Sequence, residues 1–385
     1  MSRLIATGID VGTAFIRVVV AEQKKGDTST KILGVGIAES KGMRHGYVVN
    51  PKETSKSIRA AIQLAQKNAK VPIKSAFVSM SGISLSAALS QSSVIISKAD
   101  GEITDIDIKK VISTAEEKLD DKNQQLLHSI PLRFMIDGKE ILGRPNGLRG
   151  IKFEAKMLCI TSLSQHADDL VNVIQDSGIA VEDIMAAPIA ASLVTLSRQQ
   201  KTAGCVLANI GSETVSICVF ENNLPVSLEV FPIGSTDITN DIALGLKISL
   251  DEAERIKLGD TVHAYSEKRL NEIIEARLSD IFELIEAHLR KIRRNGLLPA
   301  GIVLTGGGVS LRNIADLAKI SLKLPAQIAE PQYAVNSGHQ IHDSSWAVAY
   351  GLCVWGLDSD EESAGLQLMK KTQHNVASWF KQFLP

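Results

Sequence analysis

Residues 8–21 and 207–220 each combine a tight glycine turn with side chains that can act on a phosphate group. Their sequences, GIDVGTAFIRVVVA and LANIGSETVSICVF, both predict a strand, a turn and a second strand rich in β-branched residues. Glycine lets backbone N–H groups approach an anion, and a threonine or serine hydroxyl adds a donor. The two segments align position by position, which pairs Asp10 with Asn209, Gly12 with Gly211, and Thr13 with Ser212.

Asp10 indicates which ligand such turns would hold. A carboxylate beside a phosphate repels it unless a Mg²⁺ ion lies between them. The expected ligand is therefore a polyphosphate with bound Mg²⁺, gripped by both turns. Two matched hairpins about half a chain apart indicate two related lobes whose turns face a shared cleft.

A third glycine turn lies in GIVLTGGGVSLRNIADLA at 301–318. The pattern predicts an apolar strand, a turn at Gly306, Gly307 and Gly308, and then a helix. A glycine turn that leads into a helix N-terminus can hold a phosphate or the sugar of a nucleotide. Taken alone, this turn is weak evidence for a ligand site, because any tight strand-to-helix turn can use glycines. Its position after the two hairpins strengthens the evidence.

The segment LDEAERIKLGD at 250–260 predicts a helix with Glu254 and Lys257 on one face. Two interpretations stay open at this stage. The pair either clasps an adenosine ring and its ribose, or forms an ordinary surface ion pair.

Composition excludes several classes of protein. The chain has 385 residues, which suits two or three domains, and 44% are hydrophobic, enough for sizeable cores. A formal net charge of −1 without a basic stripe argues against a nucleic-acid partner. The four cysteines lack CxxC or zinc-ligand spacing and are predicted to be small buried residues. With no signal-peptide pattern and no run of about 18 apolar residues, a cytoplasmic body is expected.

The last residues, NVASWFKQFLP, predict a short amphipathic helix. Its apolar face consists of Val376, Trp379, Phe380, Phe383 and Leu384. Taken alone, this face either docks on the protein's own surface or lies on a membrane. The polar segment before it, 358–374, predicts a flexible linker.

The order of hairpin, hairpin, Glu-x-x-Lys helix and TGGG turn resembles the actin/Hsp70/sugar-kinase ATPase superfamily. Segments outside these elements resemble the bacterial cell-division family FtsA over nearly the whole chain. They are SKGMRHGYVVNPKETSKSIRAAIQLAQKNA at 40–69, AFVSMSGISLSA at 76–87 and LLHSIPLRFMIDGKEILGRPNGLRG at 126–150. The third is similar to the insertion that FtsA carries in place of an actin subdomain. The resemblance implies an α/β, actin-like fold of two duplicated ribonuclease-H-like lobes.

The resemblance also implies an organisation along the chain. It gives a first lobe at 1–80 and 163–203, an FtsA-type inserted subdomain at 81–162, a second lobe at 204–357 with a helical subdomain at 236–300, a linker at 358–374, and a membrane-targeting amphipathic helix at 375–385.

By the same resemblance, the hairpins are phosphate loops and TGGGVSL is an adenosine loop, so the implied cofactors are ATP and Mg²⁺. Asp10 would hold Mg²⁺ through a bound water and is the candidate for positioning a reacting water. The implied nucleotide-binding residues are Asp10, Gly12, Thr13, Asn209, Gly211, Ser212, Glu213, Gly234, Glu254, Lys257, Gly306, Gly307 and Gly308.

The family resemblance implies a role at the division site, on the cytoplasmic face of the inner membrane. The protein would polymerise, tether FtsZ filaments by capturing the acidic and apolar FtsZ tail, and help to recruit later division proteins. The candidate contacts to that tail are Arg277, Lys291, Arg293 and Arg294. Taken alone, the basic run LRKIRRNG at 289–296 is typical of a solvated helix end.

Three departures from the superfamily pattern bear on ATP hydrolysis. Asn209 stands where the superfamily has an aspartate, and an amide cannot take a proton from an attacking water. IMAAPIAAS at 184–192 has alanine where Hsp70-like ATPases place an acid, and Gly234 is followed by Ser235 where a second glycine is common. Nucleotide binding is therefore expected, with slow or absent hydrolysis.

Two other functions remain alternatives. A pilus-assembly protein of the PilM type is an actin-like relative that binds a partner's peptide without needing the terminal helix. A sugar-kinase-type phosphotransferase needs a catalytic acid facing an acceptor pocket, and the sequence offers no obvious candidate. A chaperone is least expected, because no peptide-binding β-domain follows the ATPase.

Overall fold

The computed structural model describes residues 3–24, 30–119, 123–260, 266–330, 341 and 343–363. The strands are β1 (Arg3–Val11), β2 (Phe15–Lys24), β3 (Thr30–Glu39), β4 (Met43–Arg44), β5 (Tyr47–Val48), β6 (Ser75–Met80), β7 (Ser86–Ile95), β8 (Gln124–Ile136), β9 (Lys139–Ile141), β10 (Lys152–Leu163), β11 (Ala180–Ala186), β12 (Cys205–Ile210), β13 (Val215–Glu221), β14 (Leu224–Phe231), β15 (Ile302–Thr305) and β16 (Ala326–Ile328). The α-helices are α1 (Pro51–Ala69), α2 (Asp105–Glu117), α3 (Ser164–Asp176), α4 (Ala187–Thr195), α5 (Arg198–Ala203), α6 (Ser235–Leu246), α7 (Leu250–Lys257), α8 (Glu267–Lys291), α9 (Ile314–Leu322) and α10 (Ala347–Ser363).

The first sheet has the strand order β11-β6-β1-β2-β3 and is covered by helices on both faces. Its central strands are β-branched and buried on both sides, as in Val18, Val19 and Val20 of β2. Burial on both faces is what a continuous apolar strand predicts. Helices α1 and α3 cover one face, while α4 and α10 cover the other.

The inserted subdomain is an antiparallel sheet of order β7-β10-β8-β9 with α2 packed against it. It has a core of its own, in which the stacked rings of Phe134 and Phe153 lie 5.4 Å apart. Helix α2 begins with a capping box: Asp107 accepts hydrogen bonds from both the backbone N and the hydroxyl of Thr104.

The second sheet repeats the first. Its order, β14-β13-β12-β15-β16, is that of the first sheet when β12, β13 and β14 are laid on β1, β2 and β3, and β15 and β16 on β6 and β11. The pairing directions also agree, with antiparallel hairpins and parallel β1–β6 and β12–β15 neighbours. The prediction of a duplicated, two-lobe α/β fold is confirmed.

The two lobes share one continuous hydrophobic core. Helix α4 packs against strands of both sheets, and side chains from one face of the second sheet, such as Leu207 and Phe220, belong to the same buried cluster as those of the first. The other face of the second sheet packs on α6, α8 and α9 in a separate core. Helices α6, α7 and α8 fall in the range predicted as a helical subdomain, 236–300, except that α6 begins one residue earlier, at Ser235.

Helix α10 differs from its expected place. It lies in the range assigned to the second lobe, yet it packs on β1, β2, β6 and α4 of the first. A Cβ added to Gly8 would lie 2.1 Å from the backbone oxygen of Ala349, so strand and helix approach closely. The helix also continues to Ser363, through the first residues of the predicted linker, where DSDEES contains no glycine or proline to end it.

The predicted membrane-facing residues Val376, Trp379, Phe380, Phe383 and Leu384 lie outside the described residues. Among the residues that the structure does describe, no helix is long and apolar enough to cross a bilayer.

Candidate functional site

The two hairpins have equal registers in the structure. Asp10 lies opposite Arg17 across β1 and β2, and Asn209 lies opposite Ser216 across β12 and β13. The sequence alignment that places Asp10 on Asn209 also places Arg17 on Ser216, so it predicts that the two cross-strand pairs are equivalent. Asp10 and Asn209 therefore occupy equivalent positions, each at the end of the central strand of its sheet.

The glycines in the two turns are required by the same close approach. A Cβ on Gly12 would lie 2.7 Å from the backbone oxygen of Phe15, and a Cβ on Gly211 would lie 2.9 Å from that of Thr214. The second turn is closed by a 2.8 Å hydrogen bond from the Gly211 N–H to the Thr214 oxygen. Each hairpin thus turns tightly at its glycine.

Asp10 is held by β6, the parallel neighbour of β1. The Ser79 hydroxyl donates to its carboxylate at 2.8 Å and accepts from the Val11 N–H at 3.2 Å. Removal of water from around the carboxyl raises the pKa of Asp10, and this effect outweighs the opposing charge of Arg17 and the Ser79 hydrogen bond. A cation facing this carboxyl would offset that desolvation, so the residue fits a Mg²⁺-binding role.

The third glycine turn lies against the second hairpin. Gly306 has a positive φ of 97°, and a Cβ there would lie 2.3 Å from the side-chain oxygen of Asn209. A Cβ on Gly308 would meet Ile210 at 2.6 Å. Gly307, in contrast, has nothing within 4 Å of an added Cβ, so the middle glycine borders open space. The structure thus brings Asn209, Gly211, Ser212 and this turn together.

Gly234 links the second hairpin to α6. A Cβ on Gly234 would lie 2.3 Å from the Ser212 oxygen, which explains why glycine is needed there. The first amides of α6 are already used, because Ser235 N donates to Gly211 O at 2.9 Å and Thr236 N donates to Ser212 O at 2.8 Å. The contribution of Gly234 is therefore close packing of α6 behind the hairpin turn.

Glu254 and Lys257 are an ion pair, with 2.7 Å between Lys257 Nζ and Glu254 Oε2. The pair is more than an isolated surface contact, since the Lys257 side chain is only 5% exposed. Its ammonium also donates to the Ser235 oxygen at 3.1 Å and to the Thr239 hydroxyl at 2.9 Å. Lys257 thus ties α7 to the start of α6, while Glu254 keeps 45% side-chain exposure.

One group of residues at the cleft escaped sequence reasoning: the turn between β4 and β5. The Gly46 N–H donates to the Thr13 hydroxyl at 3.1 Å, and the His45 N–H donates to the Glu213 carboxylate at 2.6 Å. Glu213 is therefore a second carboxylate beside the hairpins. His45 and Gly46 both have left-handed backbone conformations, which are typical of a tight turn. Such a pair does not indicate where in the fold the turn lies.

The basic residues predicted to contact a partner mostly have acidic partners within this chain. Arg277 pairs with both oxygens of Asp241, at 2.6 and 3.0 Å, and Arg294 pairs with both oxygens of Glu221. Lys291 lies 3.8 Å from Glu229. Arg293 has a left-handed backbone with φ of 60° at the end of α8.

A shallow groove of about 300 Å³ lies between α6 and α8, beside the Arg277–Asp241 pair. It is lined by Asp241, Leu244, Gly245, Arg269, Glu272, Ile273 and Ala276. Leu244 is 78% exposed, so the groove offers apolar as well as charged surface.

Comparison with known proteins agrees with this architecture. The family model described as "Cell division protein FtsA" matches residues 206–351, and the model "SHS2 domain inserted in FTSA" matches residues 82–161. The cell division protein FtsA of Borreliella burgdorferi is 30% identical, with 99% of each chain covered.

Several solved structures share the fold. The PilM–PilN type IV pilus biogenesis complex contains a chain with a TM-score of 0.69 at 18% identity, covering 91% of this chain and 98% of that one. MreB5 of Spiroplasma citri bound to ADP has a TM-score of 0.53 at 12% identity, covering 95% of this chain and 99% of that one. At these identities the likeness to PilM concerns the fold alone, and the pilus-assembly alternative is not favoured. The sequence-level match over the full chain places this protein in the FtsA family of cell-division proteins.

Proposed function

We propose that this cell-division protein binds ATP with Mg²⁺ in the cleft between its lobes. The observation that carries the proposal is the equal register of the two hairpins, which puts Asp10 and Asn209 at equivalent strand ends with glycine turns beside them. Gly307 of the third turn borders open space, since an added Cβ would have nothing within 4 Å. A neighbour of the same fold, MreB5, is described as bound to ADP, which supports nucleotide as the ligand class.

In this proposal Asp10 holds Mg²⁺ through a bound water. The ion screens the phosphates from the carboxylates of Asp10 and Glu213. The glycine turns let the backbone come close to the phosphates, and Thr13 and Ser212 add hydroxyl donors. Asn209 can hydrogen-bond a hydrated ion but cannot act as a base, so hydrolysis is slow or absent. Glu254 keeps 45% side-chain exposure beside the buried Lys257, and in this proposal its free surface contacts the sugar of the nucleotide.

The test is a titration of the full chain with a fluorescent ATP analogue and Mg²⁺. Gly307→Glu fills the open space and adds a negative charge beside the phosphates, so binding should be lost while the melting temperature holds. Leu142→Glu is the matched control, because Leu142 is 93% exposed in the inserted subdomain and gains the same charge there. Equal binding by wild type and Gly307→Glu would overturn the proposed pocket.

The same proposal assigns the protein to the cytoplasmic face of the inner membrane at the division site. The amphipathic terminal segment 375–385 is the proposed tether, at roughly 1 kcal/mol for each partly inserted apolar side chain. One copy should bind weakly, and several copies on one polymer should bind tightly through avidity. Vesicle sedimentation with and without 375–385 tests the tether, and unchanged sedimentation of the truncated chain would contradict it.

The proposed partner on the membrane is the acidic and apolar tail of FtsZ, together with further copies of this chain and later division proteins. The groove between α6 and α8 offers Leu244 and Ile273 to the apolar part of such a tail. Its one basic lining residue, Arg269, is paired with Glu272 at 3.4 Å. Arg277, at the edge of this groove, is already neutralised by Asp241. An incoming carboxylate would therefore have to share or replace that aspartate.

A further inference from the structure

We infer that the turn His45–Tyr47 couples the state of the nucleotide cleft to the inserted subdomain, residues 82–161. This inference rests on the proposed nucleotide binding. The turn is placed by backbone contacts to three parts of the molecule that are remote in sequence, and those contacts define its role.

The turn bridges the two hairpins. Gly46 N–H donates to the Thr13 hydroxyl of the first turn, and His45 N–H donates to the Glu213 carboxylate of the second. The His45 ring adds to this link, since its Nδ1 lies 3.3 Å from the Glu213 carbonyl oxygen, a hydrogen bond when Nδ1 carries the proton. Both lobes therefore contact the same two consecutive residues.

The turn also lies against the point where the chain enters the inserted subdomain. A Cβ on Gly46 would lie 2.4 Å from the Gly82 Cα, and a Cβ on Gly82, whose φ is +100°, would lie 2.9 Å from the His45 oxygen. Two glycine backbones pack directly on each other here. The Tyr47 ring also packs at this point, since the same added Cβ on Gly82 would lie 3.0 Å from its Cε1 atom.

Tyr47 also contacts the segment by which the chain leaves the subdomain. Its ring stacks on His166 of α3, with centroids 3.9 Å apart and an interplanar angle of 28°. The two connections also contact each other: the hydroxyl of Ser84, two residues after Gly82, lies 2.9 Å from the hydroxyl of Ser162 near the end of β10. The turn thus packs on both connections of the subdomain, so a displacement of the turn shifts both.

The contact that a polyphosphate would disturb is the one to Glu213. Thr13 can donate to a phosphate while it accepts from Gly46, so that contact survives ligand binding. The Glu213 carboxylate is repelled by phosphate oxygens, whereas a Mg²⁺ ion would attract it. Either change alters its hydrogen bond to His45, and the turn transmits the alteration through the Gly46–Gly82 and Tyr47–His166 contacts.

The experiment is hydrogen–deuterium exchange on the full chain with and without ATP and Mg²⁺, in parallel with a binding titration. Wild type should show nucleotide-dependent exchange in 82–161. Tyr47→Leu, which removes the stack on His166, should bind nucleotide as wild type does but lose that response. Tyr47→Phe is the matched control: it keeps the stacked ring and should keep the response.

His45→Asn provides a second variant that acts from the cleft side, because asparagine tolerates the left-handed backbone at this position, where φ is 47°. It should weaken the response without altering the basal exchange of the subdomain. Two results would overturn the coupling while nucleotide binding stands. In one, all variants bind ATP and show the same exchange response as wild type. In the other, wild type binds ATP but shows no nucleotide-dependent exchange in 82–161. If wild type does not bind ATP at all, the proposed nucleotide function fails, and the coupling with it.

Discussion

The Ser79 hydroxyl donates to the Asp10 carboxylate at 2.8 Å across two parallel strands of the first sheet. Ser79→Ala removes this bond, so the already raised pKa of Asp10 should rise further. A hydrogen bond to a charged group contributes about 1.5 kcal/mol, so Mg²⁺-ATP affinity should fall about tenfold at neutral pH. Since the carboxylate is needed, affinity should decline as the pH is lowered, and the decline should start at a higher pH in the variant. Superimposable pH profiles would contradict this prediction, and Ser86→Ala, in the inserted subdomain, is the control.

Asn209→Asp restores a carboxylate at the position equivalent to Asp10. Because the two hairpins have the same register, the new acid should face the same ligand and can accept a proton from water. Phosphate release should rise above that of wild type, and Asp10→Asn in the same background should abolish the gain. No gain in turnover or Mg²⁺ affinity would argue that Asn209 does not border the phosphates.

Lys201 is buried, and burial lowers its pKa to about 8. The folded state therefore disfavours the charged form of Lys201. Between about pH 8 and the ordinary lysine pKa of about 10.4, the folded state binds fewer protons than the unfolded state. Lys201→Met should therefore be more stable than wild type at pH 7, by up to about 3 kcal/mol, and this advantage should shrink as the pH rises to about 10. Denaturant unfolding at several pH values measures it. Lys110→Met, at an exposed site of α2, should show no such pH dependence.

Asp107 caps α2, and its hydrogen bonds from Thr104 and Ser97 outweigh the effect of burial to lower its pKa to about 2. Its contribution to stability is therefore present above the ordinary aspartate pKa of about 4 and is lost as the pH falls through about 2. Asp107→Asn should destabilise the inserted subdomain at pH 7, and the difference from wild type should vanish in acid. Acid titration followed by circular dichroism measures both; a constant difference down to the lowest pH would contradict the assignment.

Gly351 of α10 lies against α4, where an added Cβ would be 1.9 Å from the Ala190 backbone oxygen. Helix propensity alone would favour alanine by about 1 kcal/mol, but this clash is with backbone and cannot be relieved by a rotamer change. Gly351→Ala should therefore destabilise the protein by about 2 kcal/mol in thermal unfolding. Gly307→Ala, with open space around its Cβ, should change stability by less than about 0.5 kcal/mol. Equal melting temperatures for the two variants would refute the close packing of α4 on α10.

The hairpin repeat and the α7 ion pair were predictable because each depends on residues near one another in sequence. Runs of β-branched residues predicted the strands, and three-residue spacing predicted the Glu254–Lys257 pair. The turn at His45 was not predictable as part of the cleft, because its partners Thr13 and Glu213 lie far away in sequence. The same holds for the pairing of Arg277 with Asp241, which a pattern of basic residues along α8 cannot reveal.

The placement of α10 on the first sheet has a consequence for synthesis of the protein. Gly8 packs on Ala349, and the Cys353 thiol donates to the Val19 oxygen at 3.2 Å. Strands near the N terminus therefore complete their packing only when a helix near the C terminus is present. Domains generally fold as units, N-terminal first, while the chain emerges from the ribosome. Here the first lobe remains incomplete until residues 347–363 have been translated. Premature termination before that point should yield no folded first lobe, and the proposed tether, encoded after it, reaches the membrane only on chains able to complete both lobes.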